Sequence, residues 1–290
     1  MDGNMQNMHK KFTVLLLHYN QQKYLHTSLQ SIFRQDFPCI ELIFADDATA
    51  NLDTQEIERY VEDHKRSNIV SVSYQIARKN HGTVRTINKA LHAATGDYVL
   101  FFAADDALRD AHTLSNYAMA LDSLPDDAYV AAAQCDMMDE NLEISLGSFV
   151  NEALAYSMNQ ASAQEQYIRF VSGCLYAIGA TAFKREVWEK YGYFDETYRV
   201  IEDWSFFLRF TRNGGRIHFF DFVGLQHRDG GISHFNSNVL PPHVIAYQND
   251  SLMIMEREIL PYLSVLQRMQ QIRFLERYEK LRSDFGMLNT

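Results

Sequence analysis

The stretch Tyr98-Val99-Leu100-Phe101-Phe102-Ala103-Ala104-Asp105-Asp106 carries two adjacent carboxylates directly behind an apolar run. A short run of aromatic and β-branched residues is typical of a buried strand. A second run, residues 40–45, ends in the same way at Asp46-Asp47. Helix capping explains one such pair, but two pairs at strand ends favour a ligand site at the carboxyl edge of an open α/β sheet. Carboxylates beside apolar walls are costly without a cation, and divalent cations such as Mg²⁺ take oxygen ligands.

The sequence around this stretch alternates between strand-like and helix-like segments. The predicted strands are residues 12–17, 40–45, 69–74, 98–102 and 129–134, and the predicted helices are residues 22–34, 54–66 and 83–94. Strands that alternate with helices of this length favour right-handed βαβ units. The pattern therefore predicts an α/β protein with a mostly parallel central sheet flanked by helices.

The second half of the chain is less regular. Residues 151–164 are polar and rich in small side chains, so we predict a loop there. The remaining predicted elements are helices at 184–191 and 203–212, a strand at 217–223, and a long helical segment from residue 241 onward.

The composition limits the classes of protein to which this chain can belong. Its 290 residues include 27 Lys and Arg against 37 Asp and Glu, a formal net charge of −10, which argues against a general nucleic-acid binder. A phosphate-bearing substrate stays compatible, because a metal ion can supply positive charge locally. The three widely spaced cysteines predict neither a disulfide framework nor a zinc site. No apolar stretch approaches the roughly 18 residues that span a bilayer, and residues 1–11 lack a signal-peptide core, so we expect a soluble cytoplasmic protein.

Several short motifs follow one another in order along the chain. They are Leu16-Leu17-His18-Tyr19-Asn20, Asp46-Asp47-Ala48-Thr49, Asn80-His81-Gly82-Thr83, Asp105-Asp106, Gly192-Tyr193-Phe194-Asp195-Glu196 and Ile201-Glu202-Asp203-Trp204. This ordered set, within residues 12–233, resembles the inverting family 2 glycosyltransferases with the GT-A fold. The resemblance implies a GT-A nucleotide-diphospho-sugar transferase domain over residues 1–235, with a nucleotide-binding half at 10–107, an acceptor half at 108–235, and a C-terminal helical extension at 236–290.

The resemblance also implies a nucleoside-diphosphate sugar donor bound beside the first two strands. Asp46 or Asp47 would accept a hydrogen bond from the base or the ribose, and which of the two does so stays open. In the family, the segment that carries Asn80, Gly82 and Asn88 packs beneath the donor, so a structural role is an alternative to donor contact for these residues. Gly82 also fits a turn that needs a positive φ, and Asn88 fits a polar helix face. The residues that the resemblance implies for donor binding are His18, Tyr19, Asn20, Asp46, Asp47, Asn80, Gly82, Asn88, Ala104, Asp105, Glu202 and Arg228.

A divalent cation, Mg²⁺ or Mn²⁺, is implied at the end of the fourth strand. Asp105 corresponds to the metal-binding carboxylate of the family's Asp-x-Asp motif, and the ion would neutralise the diphosphate leaving group. The first Asp of that motif is Ala103 here, so any contact from that side chain is absent. Asp106 is a second ligand, a water-mediated ligand or a helix cap. His227 is the further metal ligand implied, and Arg228 reaches the diphosphate, on a loop whose glycines allow it to close over the donor.

Asp203 is the predicted catalytic base. In Glu202-Asp203-Trp204 it matches the family's acidic motif at the start of a helix under the acceptor site. Direct displacement at an anomeric carbon needs a base that removes the proton of the attacking hydroxyl, and an apolar neighbour such as Trp204 raises the basicity of a carboxylate. The alternative is a helix N-cap, for which Asp is a preferred residue.

The acceptor and partners are implied by what the chain lacks. It has neither the Gln-x-x-Arg-Trp signature nor the transmembrane helices of processive synthases, so the resemblance implies transfer of one sugar to a hydroxyl of a surface glycan, free or lipid-linked. No nucleic-acid partner is expected. In residues 242–290 an apolar stripe carries nearly balanced charges, which favours a helix packed on the core, or on another subunit of a homo-oligomer, over a helix lying on the inner face of the membrane.

Two other functions are weighed against this one. A nucleotidyltransferase normally carries a Gly-rich phosphate loop near its first strand, and Leu17-His18-Tyr19-Asn20-Gln21-Gln22 has no glycine. A non-catalytic protein would keep the nucleotide-sugar pocket without turnover, and Ala103 is the one feature that supports it.

Overall fold

The computed structural model describes residues 10–229 and 242–288, in which one nine-stranded sheet carries helices on both faces. The strands are β1 (Phe12–His18), β2 (Ile40–Asp46), β3 (Ile69–Ile76), β4 (Tyr98–Ala103), β5 (Ala107–Leu108), β6 (Val130–Met138), β7 (Ser145–Ser148), β8 (Thr181–Lys184) and β9 (Ile217–Arg228). The helices are α1 (Gln22–Phe33), α2 (Thr54–His64), α3 (Thr83–Ala93), α4 (Thr113–Ser123), α5 (Glu152–Gln160), α6 (Ala163–Phe170), α7 (Val187–Tyr191), α8 (Asp203–Arg212), α9 (Pro242–Ile254) and α10 (Arg268–Leu288).

The sheet is parallel in its first half and mixed in its second. The strand order is β3-β2-β1-β4-β8-β6-β9-β5, with β7 paired to β6, and the first four strands in this order are parallel. Strand β8 runs antiparallel to both of its neighbours, β4 and β6, whereas β6 and β9 are parallel. The predicted α/β sheet is therefore confirmed. Strand direction in the second half follows from pairings between distant segments, which local periodicity does not report.

The register of the parallel strands brings the ends of β1, β2 and β4 to one edge of the sheet. His18 lies opposite Asp46 in the β1–β2 pair, and Leu17 lies opposite Ala103 in the β1–β4 pair. The two acidic pairs that follow β2 and β4 therefore stand on either side of the end of β1. This is the edge at which open α/β sheets bind their ligands.

Two apolar layers cover the central strands, and successive residues of β1 enter them alternately. Leu15 packs in the layer of α3, α6 and α8, whereas Val14 and Leu16 pack in the layer of α1, α2 and α4. Because both faces are buried, these strands are near-continuous apolar runs, which is the pattern of parallel strands covered by helices.

The prediction of a loop at residues 151–164 is wrong, because α5 and the start of α6 occupy this segment. The side chain of Asn151 caps α5 by accepting a hydrogen bond from the N–H of Leu154 at 3.0 Å. Ser162 and Glu165 form a capping box at the start of α6. Caps satisfy the N–H groups that the first turn of a helix leaves free. The small polar residues that suggested a loop are thus the starting points of two helices.

Two predicted elements have different bounds in the structure. The predicted helix at 184–191 is the shorter α7, because Lys184 still belongs to β8 and donates its N–H to the carbonyl oxygen of Tyr129 at 2.8 Å. The predicted strand at 217–223 continues to Arg228, because its far end pairs with both β6 and β5. This extension places His227 and Arg228 on a strand instead of a loop.

The helices α9 and α10 pack on the body of the protein, joined by a π-helical turn at Met255–Ile259 and a 3-10 segment at Leu260–Val265. Ile254, Met255 and Ile259 are fully buried and belong to the apolar layer of α3 and α8. Packing of this segment on the core is therefore confirmed, and contact with another subunit stays a prediction. Within the described ranges, no helix combines the length and the apolar character that a bilayer crossing requires. The predicted boundary after residue 235 and the glycines at 230 and 231 lie outside the described residues.

Candidate functional site

A buried histidine–aspartate pair joins the ends of β1 and β2. Nδ1 of His18 donates to Oδ1 of Asp46 at 2.7 Å, and the N–H of Thr49 donates to Oδ2 of Asp46 at 2.9 Å. Burial works to raise the pKa of Asp46, but the hydrogen bonds from His18 and Thr49 outweigh it and hold that pKa below its usual value. Asp46 is therefore an ionised carboxylate that links the end of β1 to the loop after β2. Nε2 of His18 is buried and has no hydrogen-bond partner among the described residues.

Asp47 shapes the loop that leads into α3. Its Oδ1 accepts the N–H of His81 at 2.7 Å, and its Oδ2 accepts the N–H of Gly82 at 2.8 Å. Its carbonyl oxygen accepts a hydrogen bond from Nδ2 of Asn80 at 3.3 Å. Both carboxylate oxygens of Asp47 are thus engaged within the protein, as are those of Asp46. Their role toward a donor stays a prediction.

Gly82, Asn80 and Asn88 tie α3 to residues 194–199. Gly82 has a φ of +91°, and a Cβ there would lie 2.5 Å from the carbonyl oxygen of Arg199, so only glycine fits. The Arg199 side chain donates to Oδ1 of Asn80 at 2.6 Å. Asn88 donates to the carbonyl oxygen of Phe194 at 2.8 Å and accepts the N–H of Phe194 at 3.1 Å. Through these contacts the three residues hold the loop before α3 and the helix itself against residues 194–199. This is the structural role that the sequence offered as an alternative to donor contact.

The loop after β1 lies against the turn after β4. The N–H of Ala104 donates to the carbonyl oxygen of Leu17 at 2.7 Å. Asn20 has a left-handed backbone with a φ of 56° and donates its N–H to Oγ1 of Thr49 at 2.9 Å. Tyr19 is 41% exposed, so its ring is available to a ligand at this edge.

The second acidic pair lies in the turn between β4 and β5, so Asp106 does not cap a helix. Oδ2 of Asp106 lies 3.0 Å from Nδ1 of His227, and its Oδ1 accepts the N–H of Arg228 at 3.0 Å. Burial works to lower the pKa of His227, but the hydrogen bond and charge of Asp106 raise it above its usual value. Nε of Arg228 donates to the carbonyl oxygen of Asp105 at 2.7 Å, and its guanidinium lies 4.1 Å from the centre of the Tyr24 ring. Asp106 thus orients the two basic residues at the end of β9.

Asp105 keeps one carboxylate oxygen available to a cation. Its Oδ1 is buried and has no hydrogen-bond partner within the described ranges. Burial, and then the charge of Asp106, raise the pKa of Asp105 to about 6. A divalent cation at this oxygen would offset the cost of burying the charge. His227 suits the same ion, because a carboxylate that holds Nδ1 leaves Nε2 as the ligand nitrogen.

This pair fits a metal that completes its shell with substrate phosphates. Within residues 10–229 and 242–288, no group of three or more His, Cys, Asp or Glu side chains is arranged to hold an ion by itself. Mg²⁺ commonly binds through one or two carboxylates together with substrate phosphate oxygens and waters. Asp105 and His227 therefore suit an ion that arrives with, or is held by, a diphosphate.

A cavity of about 830 Å³ opens beside Asp46, between the end of β3 and the start of α3. Its basic lining residues are Arg78, Lys79, His81, Arg85 and Lys89. Small-molecule sites are commonly clefts of 300–1,000 Å³. Asp46 and Glu196 also line this cavity, and Arg85 lies 3.4 Å from Oε2 of Glu196. The basic side chains outnumber these two carboxylates, so the lining favours an anionic ligand. Sequence reasoning missed this cluster, whose members come from the loop after β3 and from one face of α3.

Glu202 and Asp203 stand at the start of α8, as predicted. Glu202 occupies the N-cap position without a capping hydrogen bond, and Asp203 is the first helical residue. Oδ1 of Asp203 accepts the N–H of Trp204 at 2.6 Å. Burial, and then the charge of Asp203, raise the pKa of Glu202, and burial also raises the pKa of Asp203. A carboxylate with raised basicity at this place suits proton abstraction.

Sequence reasoning missed two residues that contact this acidic pair or the segment before it. Oδ2 of Asp250 accepts three consecutive backbone N–H groups, those of residues 199–201. The thiol of Cys174 donates to the carbonyl oxygen of Tyr176 at 3.3 Å, and it lies close enough to the Asp203 carboxylate to lower its pKa against the effect of burial. The signal for Asp250 was present, since it lies four residues before the buried Ile254 and so on the same face of α9. A carboxylate on an apolar helix face indicates a buried polar partner.

More than half of the chain matches a known family. The profile described as Glycosyl transferase family 2 matches residues 13–192, which is more than half of the chain. TarS of Staphylococcus aureus strain Mu50, named poly(ribitol-phosphate) beta-N-acetylglucosaminyltransferase, is 27% identical over 211 residues, which are 71% of this chain and 33% of TarS. AmsB of Erwinia amylovora, named amylovoran biosynthesis glycosyltransferase, is 22% identical over 250 residues, which are 80% of this chain and 78% of AmsB. The chain thus spans about a third of the length of TarS.

Solved structures of transferases share the fold. Residues 1–349 of S. aureus TarS in complex with UDP-GlcNAc superpose with a TM-score of 0.61 at 20% identity, covering 95% of this chain and 73% of that one. The mannosyltransferase PcManGT from Pyrobaculum calidifontis, in complex with GDP-Man and Mn²⁺, has a TM-score of 0.60 at 17% identity, covering 88% and 64%. These likenesses confirm the predicted GT-A fold.

Proposed function

Because this chain belongs to glycosyl transferase family 2, we propose that it transfers a single sugar from a nucleoside-diphosphate sugar to a hydroxyl group of a cell-surface glycan. The observation that carries the proposal is the buried Oδ1 of Asp105, which has no hydrogen-bond partner among the residues that the structure describes and lies beside the Asp106–His227 pair at the carboxyl edge of the sheet. The names of TarS and AmsB support a glycan acceptor.

The donor's diphosphate is proposed to bind at the end of β4. Asp105 and His227 would hold Mg²⁺ or Mn²⁺, and the ion when bound would neutralise charge on the leaving group. Arg228, held by the carbonyl oxygen of Asp105, adds a fixed positive charge at the same place. The basic cavity beside Asp46 would attract the anionic donor toward this edge. The Mn²⁺ and GDP-Man bound by PcManGT support an ion-assisted donor site.

Asp203 acts as the base in this proposal. Its carboxylate takes the proton of the acceptor hydroxyl while the hydroxyl oxygen forms a bond to the anomeric carbon. The bond from that carbon to the diphosphate oxygen breaks at the same time, and its electron pair leaves with the nucleoside diphosphate. One displacement of this kind inverts the anomeric configuration. A single carboxylate suffices because the leaving group needs no proton, whereas a glycosidase uses two.

The acceptor is proposed to be a hydroxyl of a surface glycan, free or lipid-linked, and the reaction to take place in the cytoplasm. A lipid-linked acceptor would bring the protein to the inner face of the membrane. A non-catalytic nucleotide-sugar-binding protein is the second candidate, and Ala103 at the end of β4 favours it, because this position lacks the first carboxylate of the family's acidic motif.

The test is a thermal-shift screen of UDP-, GDP-, dTDP- and CMP-sugars, each with Mn²⁺ and with EDTA. A ligand that binds only the native state at 100 times its Kd stabilises that state by about 2.7 kcal/mol. We expect one nucleotide to raise Tm only with metal, and Asp105→Ala to abolish the shift, whereas Asp53→Ala, at the N-cap of α2, leaves it intact.

Release of nucleoside diphosphate on addition of glycan acceptors separates the two candidates. A transferase releases it and a binding protein does not. If no nucleotide moves Tm of the folded protein, the proposed donor site is wrong.

A further inference from the structure

A single carboxylate oxygen on the C-terminal helix α9 gathers three consecutive backbone N–H groups. Oδ2 of Asp250 accepts those of Arg199, Val200 and Ile201 at 2.8, 2.6 and 3.0 Å. Asp250 is 3% exposed. No Lys, Arg or His of the described residues lies within ion-pair distance of it, so these N–H groups stabilise its charge. Hydrogen bonds to an ionised acceptor are roughly twice as strong as neutral ones.

The segment that Asp250 holds leads directly into the acidic pair. Glu202 follows Ile201, and Asp203 is the first residue of α8. The N–H groups before a helix have no acceptor within the helix itself. A buried N–H without a partner destabilises the folded state, so without Asp250 the segment would have to move to find other acceptors.

The same segment contacts the donor side of the protein. The carbonyl oxygen of Arg199 accepts the N–H of Val84 at 3.4 Å and packs on Gly82, and the Arg199 side chain donates to Asn80. Asp47 in turn holds the N–H of Gly82. A chain of contacts therefore runs from the loop before α3, through residues 199–201, to α9.

We propose that Asp250 is a positioning residue, which holds residues 199–201 and thereby fixes Glu202 and Asp203 relative to the donor edge of the sheet. The inference rests on the proposed function, in which Asp203 is the base. It makes α9, which lies beyond the family match at residues 13–192, a part of the working site.

The charge of Asp250 also acts on the acidic pair. It adds to burial and to the charge of Asp203 in raising the pKa of Glu202. The other groups that face the pair are the thiol of Cys174 after α6, the phenol of Tyr247 on α9, and the guanidinium of Arg277 on α10, which lies over the Trp204 ring. Asp250 is the acidic member of this surrounding set.

Two substitutions separate the geometric effect from the charge. Asp250→Asn keeps a side-chain oxygen for the three N–H groups and removes the negative charge. We expect kcat at the pH plateau within about threefold of the wild type, and an acid limb of the pH profile at lower pH, because a repelling charge has gone. Asp250→Ala removes the acceptor, and we expect kcat to fall on the order of 100-fold with the donor KM changed by no more than about threefold.

The control is Asp53→Ala, which removes an exposed carboxylate that accepts the N–H of Glu56 at the N-cap of α2. It should lower Tm and leave kcat and the acid limb unchanged. If Asp250→Ala resembles this control, with stability lost and kcat intact, Asp250 is structural only and the inference is wrong.

A second measurement does not depend on turnover. The pH dependence of tryptophan fluorescence should contain a titration step from the pair Glu202 and Asp203, which lies beside Trp204. This step is identified because the Glu202→Gln, Asp203→Asn double variant lacks it. We expect Asp250→Asn to move its midpoint to lower pH. If the midpoint shifts but the protein transfers no sugar, the proposed function is wrong and the link between Asp250 and the pair holds. If the midpoint does not shift, the inference is wrong whether or not the protein transfers sugar.

Discussion

At the scale of single residues, the two acidic pairs differ in what surrounds each carboxylate. Asp46 accepts hydrogen bonds from His18 and Thr49, which hold its pKa below its usual value against burial. Asp105 has a buried oxygen that no group in the described part of the chain contacts by a hydrogen bond, and burial, followed by the charge of Asp106, raises its pKa to about 6. Identical side chains at equivalent strand ends are thus an ionised anchor in one case and a candidate ion ligand in the other.

Asp203→Asn should abolish most of the transfer without loss of donor binding. A positioned general base contributes about 10²–10⁴-fold to rate, and the amide cannot take the proton of the acceptor. The measurement is kcat together with the metal-dependent Tm shift of the donor nucleotide. Asp53→Asn is the matched control and should retain both. Full activity in the Asp203 variant would exclude this residue as the base.

Asp106→Asn should weaken metal-dependent donor binding. It replaces the carboxylate that orients Nδ1 of His227, and loss of such a partner typically lowers metal affinity about 10–100-fold. Titration of Mn²⁺ at saturating nucleotide, followed by the Tm shift, measures this. An unchanged Mn²⁺ midpoint would mean that His227 does not bind the ion.

Glu202 should make stability fall as pH rises. Its pKa is raised by burial and by Asp203, so between its ordinary value of 4.5 and its folded value the native state binds more protons than the unfolded state. The free energy of unfolding therefore decreases with rising pH across that range, by up to about 1.4 kcal/mol for each pH unit. Urea unfolding at pH 5.5 and 8.5 measures the change, and Glu202→Gln should remove most of it. An equal fall in the variant would assign the effect to other groups.

At the scale of elements, α3 depends on the loop that precedes it. Gly82→Ala would force an L-residue to a φ of +91° and bring its Cβ to 2.5 Å from the Arg199 carbonyl oxygen. We expect a loss of stability on the order of 1–3 kcal/mol together with weaker donor binding, because the displaced loop carries Asn80 and His81. Denaturant unfolding and nucleotide titration test both parts.

The control for this prediction is Ser162→Ala, which removes the capping box of α6. It should cost about 1 kcal/mol and leave nucleotide affinity unchanged. Equal losses of affinity in the two variants would mean that donor binding follows global stability, and not the shape of this loop.

At the scale of the whole molecule, the C-terminal helices belong to the main core. Ile259 is fully buried in the same apolar layer as α8, so Ile259→Ala should destabilise the protein by about 2–5 kcal/mol. We expect far-UV circular dichroism and tryptophan fluorescence to report one coincident transition. Two separate transitions would mean that the C-terminal helices fold as an independent unit.

The elements that have local signals could be predicted from the amino-acid order alone. Apolar runs and helical periodicity predicted β1 to β4 with their helices, two acidic pairs at strand ends, and Glu202-Asp203 at the start of α8. These signals need only a window of a few residues, because strand burial and helix faces repeat along the chain. The same locality explains why the prediction of a loop at residues 151–164 is wrong: the small polar residues that cap helices are also common in turns.

The hydrogen-bond partners of these acidic groups, by contrast, could be identified only in the folded chain. Asp47 is bound to residues 81 and 82, Asp106 to residues 227 and 228, and Asp250 to residues 199–201. The partners lie tens of residues apart or more, and no periodicity relates them. A carboxylate becomes an anchor, an ion ligand or a base according to its burial and to the donors that folding brings to it, and those are properties of the assembled sheet edge.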